Sequence, residues 1–219
     1  MNAASTLDRP NTRDMLGIHQ VFRDAFALAP ALVGSVCNDH GDRVAAVASY
    51  YANVLAMLHV HHEGEDELVW PKLSERAPAQ AELIARMQSQ HGGLLEALTE
   101  AEARLAAWTV DSDIDHGAAL AAAIAMLGVL CAAHFDEEER KILPLAAECI
   151  TVEEWGELPG HAMRNFSGDK IWLVLGLVQE QMPPEARARM EANMPLPVRE
   201  MWQGSGRAQF ESFIAALRS

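Results

Sequence analysis

Two short stretches of this chain share a spacing that suits metal chemistry. Residues 61–71 read His-His-Glu-Gly-Glu-Asp-Glu-Leu-Val-Trp-Pro, and residues 134–144 read His-Phe-Asp-Glu-Glu-Glu-Arg-Lys-Ile-Leu-Pro. Superposed, each gives a histidine, an acid four residues on, a second acid beside it, and a proline ten residues after the histidine. His61 and Glu65 thus match His134 and Glu138. In a helix, residues i and i+4 lie one turn apart on one face, so each stretch offers an imidazole beside a carboxylate. Two such pairs on facing helices would line a pocket of nitrogen and oxygen donors suited to first-row transition metals.

Helical periodicity supplies the elements that would bring the pairs together. A second helix, starting near Gly41–Asp42, carries Val44, Val47, Tyr51, Val54, Leu58, His61, Glu65 and Leu68 at alternating spacings of three and four. It should bend or end near Pro71. A third, after Pro78, carries Ile84, Met87, His91, Leu94, Leu98, Ala101 and Leu105. A fourth, after a turn with several candidate caps at Asp111–Asp115, carries Leu120, Ile124, Leu127, Cys131, His134, Glu138 and Leu145. The first helix, capped by Asn11–Thr12 or Asp14, carries Met15, His19, Phe22 and Phe26. It is ended or kinked by Pro30 and the 34–41 region. Each of the four apolar stripes contains a histidine, a polar group that needs a partner there.

Four long periodic segments joined by short polar turns predict an all-α chain built as an antiparallel up-and-down four-helix bundle. His61 lies late in the second helix, His91 early in the third and His134 late in the fourth. Helices of alternating direction bring those positions, with His19, to one level. The bundle is expected over residues 11–150. Residues 151–219 are cut by Pro159, Pro183–Pro184, Pro195 and Pro197 and hold Trp155, Trp172 and Trp202. They read as a C-terminal helical appendage with amphipathic stretches at Phe166, Ile171, Val174, Val178 and at Phe210, Phe213, Leu217. It would pack on the bundle, close over it, or form a homodimer contact.

The net charge of −14 argues against a nucleic-acid groove or an anionic membrane as partner. Cys37, Cys131 and Cys149 are odd in number and form no C-x-x-C pair, which points to a reducing compartment. The first residues carry no apolar signal core, so the cytoplasm is the expected location. The uncharged run Gly117–Ala133 stops short of a comfortable membrane span and reads as a buried bundle helix.

Acid runs such as Glu63–Glu67 and Asp136–Glu139 are usually solvated helix faces, and most of those acids are expected there. His59–Glu63 and His62–Asp66 repeat the i, i+4 spacing, but only His61–Glu65 keeps the apolar stripe and the distance to proline. His59 is expected on the surface, and His40 and His116 in loops. His62, about 100° round the helix from His61, would flank the pocket, and His161 would sit over an open end. Cys131 and Tyr51 read as core residues. No E-x-x-H and no H-E-x-x-H occurs, so neither the ferritin-like nor the zincin pattern applies. Four or five imidazoles with two carboxylates exceed one tetrahedral zinc. Two octahedral ions sharing the carboxylates use them naturally, with iron ahead of manganese or zinc.

These two H-x-x-x-E…P stretches with separate flanking histidines resemble the hemerythrin-like, or HHE cation-binding, family over roughly residues 12–148. The resemblance implies that His19, His61, Glu65, His91, His134 and Glu138 hold two iron ions, with Glu65 and Glu138 and an oxo or hydroxo group between them. It implies binding of O2, peroxide or NO, in oxidative-stress response or sensing. The chain departs from oxygen-carrying members at Leu95, where they have a further histidine, and at Glu138, four residues after the last histidine where they place an aspartate at five. His62, which supplies a ligand in some relatives, or His161 would make up the difference. Two other expectations belong beside this one: a catalase-like peroxide-decomposing enzyme, and an interaction protein switched by iron.

Overall fold

Every regular element among the described residues, 9–36 and 41–218, is helical in the computed structural model. Cys37 and His40 lie outside the described residues. Helix α1 (Met15–Ala27) breaks at Leu28, and Pro30 sits in the first turn of α2 (Ala29–Ser35), where its missing N–H costs nothing. The expected N-cap is not formed. Asp14 stands at the N-cap position, but its Oδ1 accepts from Trp155 Nε1 at 3.2 Å, and Thr12 Oγ1 donates to the Leu143 carbonyl at 3.1 Å. Residues 12–14 are thereby tied to Leu143 and Trp155.

Helix α3 (Asp42–Leu68) buries Val44, Val47, Tyr51, Val54 and Leu58, as its periodicity requires. It stops before α4 (Trp70–Arg76), which has Pro71 in its first turn. Helix α5 (Ala81–Val110) buries the expected stripe from Ile84 to Leu105 and adds Trp108. Asp113 caps α6 (Ile114–Glu137), accepting from the His116 backbone N–H at 2.7 Å and contacting His116 Nδ1 at 2.9 Å. His116 therefore belongs to the first turn of a helix, not to a loop.

Helix α6 passes through a π turn (Glu138–Ile142) into α7 (Leu143–Cys149). A π turn adds a residue to the helical repeat and rotates the residues beyond it about the axis. Ile142, Leu143 and Ala146 consequently face the core, while Leu145, expected on the stripe, is half-buried. Helix α6 also differs from the expectation of a buried helix. It buries one face, and Met126 and Val129 are 59% and 66% exposed on the other.

Helix α5 packs on α6 and α3, and α1 and α2 pack on α6 and α3. The remaining chain forms α8 (Val152–Trp155), α9 (Glu157–Asn165), α10 (Ile171–Glu180), α11 (Pro184–Asn193), α12 (Leu196–Met201), a π turn (Trp202–Gly206) and α13 (Arg207–Arg218). Leu173, Leu177, Phe210, Ile214 and Leu217 share one core with Phe22, Tyr51, Leu98 and Leu120. The α10 stripe differs from expectation: Leu173, Leu175, Leu177 and Val178 are all buried, while Phe166, Ile171 and Val174 are half-buried. Two helical stretches, Asp42–Arg76 and Ile114–Cys149, are long and apolar enough to cross a membrane by length and composition alone.

Candidate metal centre

The periodic stripes of α1, α3, α5 and α6 deliver their histidines to one buried layer. His61 Nε2 lies 3.4 Å from Glu65 Oε1, one turn along α3. The other oxygen of Glu65 lies 3.3 Å from His91 Nε2. Glu138 Oε2 lies 3.2 Å from His19 Nε2 and 3.8 Å from His134 Nε2. His91 Nε2 and His134 Nε2 face each other at 3.2 Å. Two donor groups result, His19–His61–Glu65–Glu138 and His62–His91–His134. Each glutamate touches an imidazole of both groups, so the carboxylates stand between them.

Despite these short approaches, Nε2 of His19, His61 and His62, both oxygens of Glu65 and Oε2 of Glu138 are buried without a hydrogen bond. Orphaned buried polar atoms are costly, and these converge on common points. A cation between them would satisfy the whole set. The donor types, imidazole and carboxylate, fit iron, manganese or zinc.

Three of the outer nitrogens are held by hydrogen bonds. Glu139 Oε1 lies 2.9 Å from His19 Nδ1, Asp66 Oδ1 lies 2.8 Å from His91 Nδ1, and Gln90 Oε1 lies 2.9 Å from His134 Nδ1. Each is an acceptor, so each holds a proton on Nδ1 and leaves Nε2 as the ring atom that faces inward. Arg23 braces Glu139 at 2.7 Å and Asp136 at 2.9 Å.

Residues 11–146 match the family model described as hemerythrin HHE cation binding domain. The chain belongs to this family. No curated protein and no solved structure matches the chain. Hemerythrin HHE domains bind metal ions, typically iron.

Electrostatics in this hemerythrin HHE domain divide the buried layer into groups held neutral and groups held charged. Burial and the charge of His19 hold the His61 pKa well below its usual range, and burial and His61 do the same to His62. Burial takes His134 down to about 4. Burial also opposes charge on His19 and His91, but Glu138 beside the first and Asp66 beside the second prevail and raise both to about 9. Burial and the neighbouring Glu138 push Glu65 up to about 7. Burial opposes charge on Glu138 too, but the charge on His19 outweighs it and brings the carboxyl down to about 2.

The structure brings together all seven residues expected from the sequence: His19, His61, His62, Glu65, His91, His134 and Glu138. His161 lies outside both groups. It is buried over Gly64, where a Cβ would come within 3.2 Å of its Cδ2, and it contacts Asn165 and Glu67. His59 is half-exposed beside Glu63. The residues that sequence reasoning left on solvated faces are Asp66 and Glu139. The repeat did contain their signal, because both are the second acid, five residues after His61 and His134. Glu65 and Asp66 take the two nitrogens of His91, and Glu138 and Glu139 take the two nitrogens of His19.

Aromatic rings wall the layer. Phe135 stacks on His19 at 4.1 Å between centroids, Phe22 lies 5.5 Å from His61, and Trp70 lies 5.5 Å from His91.

Proposed function

We propose that this chain is a non-haem di-iron protein that binds O2, peroxide or NO in an oxidative-stress or sensing role in the cytoplasm. One ion would be held by His19 and His61, the other by His62, His91 and His134, with Glu65 and Glu138 shared, in an up-and-down four-helix bundle. The observation that carries this is the set of buried, hydrogen-bond-orphaned atoms of His19, His61, His62, Glu65 and Glu138 converging on one layer. Iron, when bound, supplies redox chemistry and a Lewis-acidic position for a small ligand.

The chain's own residues do the rest. Asp66, Glu139 and Gln90 hold three imidazoles in one tautomer. Phe22, Phe135 and Trp70 exclude water and present an apolar wall to a small ligand. If two six-coordinate ions were held, five imidazoles and two shared carboxylates would fall short of filling both shells, which would leave room for that ligand. Tyr51 is occupied as a core residue, its hydroxyl donating to the Ala25 carbonyl at 3.1 Å. Burial pushes the Cys131 thiol up to about 12, so it stays protonated at neutral pH. Both facts favour ligand binding over a turnover route through a protein radical or thiolate.

Addition of azide or peroxide to the iron-loaded protein tests the proposal. A new visible absorption band is expected. An unchanged spectrum would sink the ligand-binding role. Sustained oxygen evolution from peroxide, lost in His61→Ala and kept in His59→Ala, would replace it with the catalase-like enzyme.

A further inference from the structure

The solvent face of α6 is built the wrong way round for a lone surface helix. An amphipathic helix places charged and polar groups outward, yet no Asp, Glu, Lys or Arg occurs between Gly117 and Ala133. Ala122, Ala125, Met126, Val129, Leu130 and Ala133 are exposed along it. Helix α2 packs beside α6, and it too lies in an uncharged run, from Ala25 to Val36. On a chain of net charge −14, this is a broad uncharged surface on an otherwise acidic molecule.

We propose that this face pairs with a second copy of the same chain, α6 against α6 in antiparallel sense, about a two-fold axis at the level of Leu127 and Gly128. The choice of partner rests on self-complementarity. About that axis Met126 meets Val129 of the second copy and Leu130 meets Ala125, larger side chains opposite smaller ones, while Ala122 meets Ala133 in a close approach. At the ends of the same register, exposed Asp115 falls opposite exposed Arg140. Each of these four contacts occurs twice, as an isologous interface requires.

The size also fits. From Gly117 to Ala133, α6 runs about 25 Å at ~1.5 Å per residue. Helix α2 beside it, at an interaxial distance of ~9 Å, has seven residues and runs only about 10 Å, so the face measures about 350 Å² in plan. That lies within the range of the largest apolar patch on a monomer, where such patches mark interaction sites. The appended helices offer less. Of the amphipathic stretches there, Val178, Phe210 and Leu217 are buried in the chain's own core, and Phe166, Ile171, Val174 and Phe213 are half-buried against it.

The inference does not depend on iron, and its test does not use it. Sedimentation equilibrium of the full chain at micromolar concentration is expected to give about twice the 23.9 kDa of one chain. Val129→Glu and Met126→Glu, at exposed positions, are expected to give monomers with unchanged helical circular dichroism. Asp115→Arg or Arg140→Asp alone should weaken association about threefold, as like charges meet, and the double reversal should restore it. A monomeric wild-type chain, or a dimer that survives Val129→Glu, would overturn the proposal. Monomers co-sedimenting with neutral phosphatidylcholine vesicles would overturn it in favour of a lipid surface. Failure of the double reversal to restore association would overturn the antiparallel register.

Discussion

Asp66 and Glu139 each sit one residue beyond a buried glutamate and hold the outer nitrogen of the imidazole that glutamate touches. Without them the His91 and His19 rings would be free to change tautomer and to rotate. Asp66→Ala and Glu139→Ala should each lower metal affinity about 10- to 100-fold, measured by competition with a chelator of known strength. His62→Ala should lower the bound metal content, while His161→Ala should leave it unchanged, because His161 packs on Gly64 outside both donor groups.

Metal binding should also carry a pH signature. His19 and His91, raised to about 9 from 6.5, are protonated at neutral pH in the metal-free protein and must lose those protons to bind. Metal uptake should therefore release protons below pH 9, and affinity should fall as the pH is lowered. The same shifts stabilise the metal-free fold fully below about pH 6.5, a contribution lost as the pH rises through about 9. An affinity independent of pH between 6 and 9 would contradict this. The glutamates and histidines of the centre were legible because the i, i+4 pair is repeated and continues two apolar stripes. Asp66 and Glu139 were marked by the repeat as its second acid, but their role was not, because an acid next to another acid on a charged run looks the same whether it meets water or an imidazole. Gln90 offered no signal at all.

At the scale of elements, the π turn at Glu138–Ile142 falls where α6 must present two consecutive carboxylates to opposite nitrogens of His19. Hydrophobic spacing assumes a constant 3.6-residue repeat. It therefore stayed in register as far as Glu138 and misplaced Leu145 two turns later. The long stripe of α5 was readable for the complementary reason, being unbroken, and that of α3 held from Val44 to Glu65 but not at Leu68, which is half-buried where the helix ends. The appended helices were harder, because α10 is buried on most of its circumference and shows no clean stripe.

Glycines test the packing. Gly92 and Gly93 lie inside α5 with open space where a methyl group would stand, so Gly92→Ala and Gly93→Ala should each stabilise the fold by about 0.5–1 kcal/mol. A Cβ at Gly176 would overlap the Phe210 ring. Gly176→Ala should therefore destabilise by about 1–3 kcal/mol. Urea unfolding of the variants separates the two signs, and a stabilising Gly176→Ala would mean that α10 and α13 pack less closely than described.

For the whole molecule, the core joins α1, α3, α5 and α6 to the appended helices, while the metal layer draws on four helices and is the most polar part of the interior. Its orphaned groups weigh against folding until a cation joins them. Metal removal should lower the thermal midpoint by several degrees, and reloading should raise it again, since binding to the folded state alone adds to its stability. The all-helical class and the common level of the histidines were legible from the chain because periodicity and loop length dictate them, whereas the number of helices was not, since the first, second and fourth periodic segments are each broken in two. Which helix faces remain uncovered was not, because an uncharged stretch such as Gly117–Ala133 reads as core whether or not its own chain covers it.

The most direct test of the central claim is metal content with an absorption spectrum on protein produced in iron-supplemented medium. The account predicts about two iron ions per chain, near-ultraviolet charge-transfer bands of a ferric pair, and loss of both in Glu65→Ala. One ion per chain, or zinc without such bands, would contradict it and leave the seven converging residues as a site of different chemistry on a hemerythrin fold.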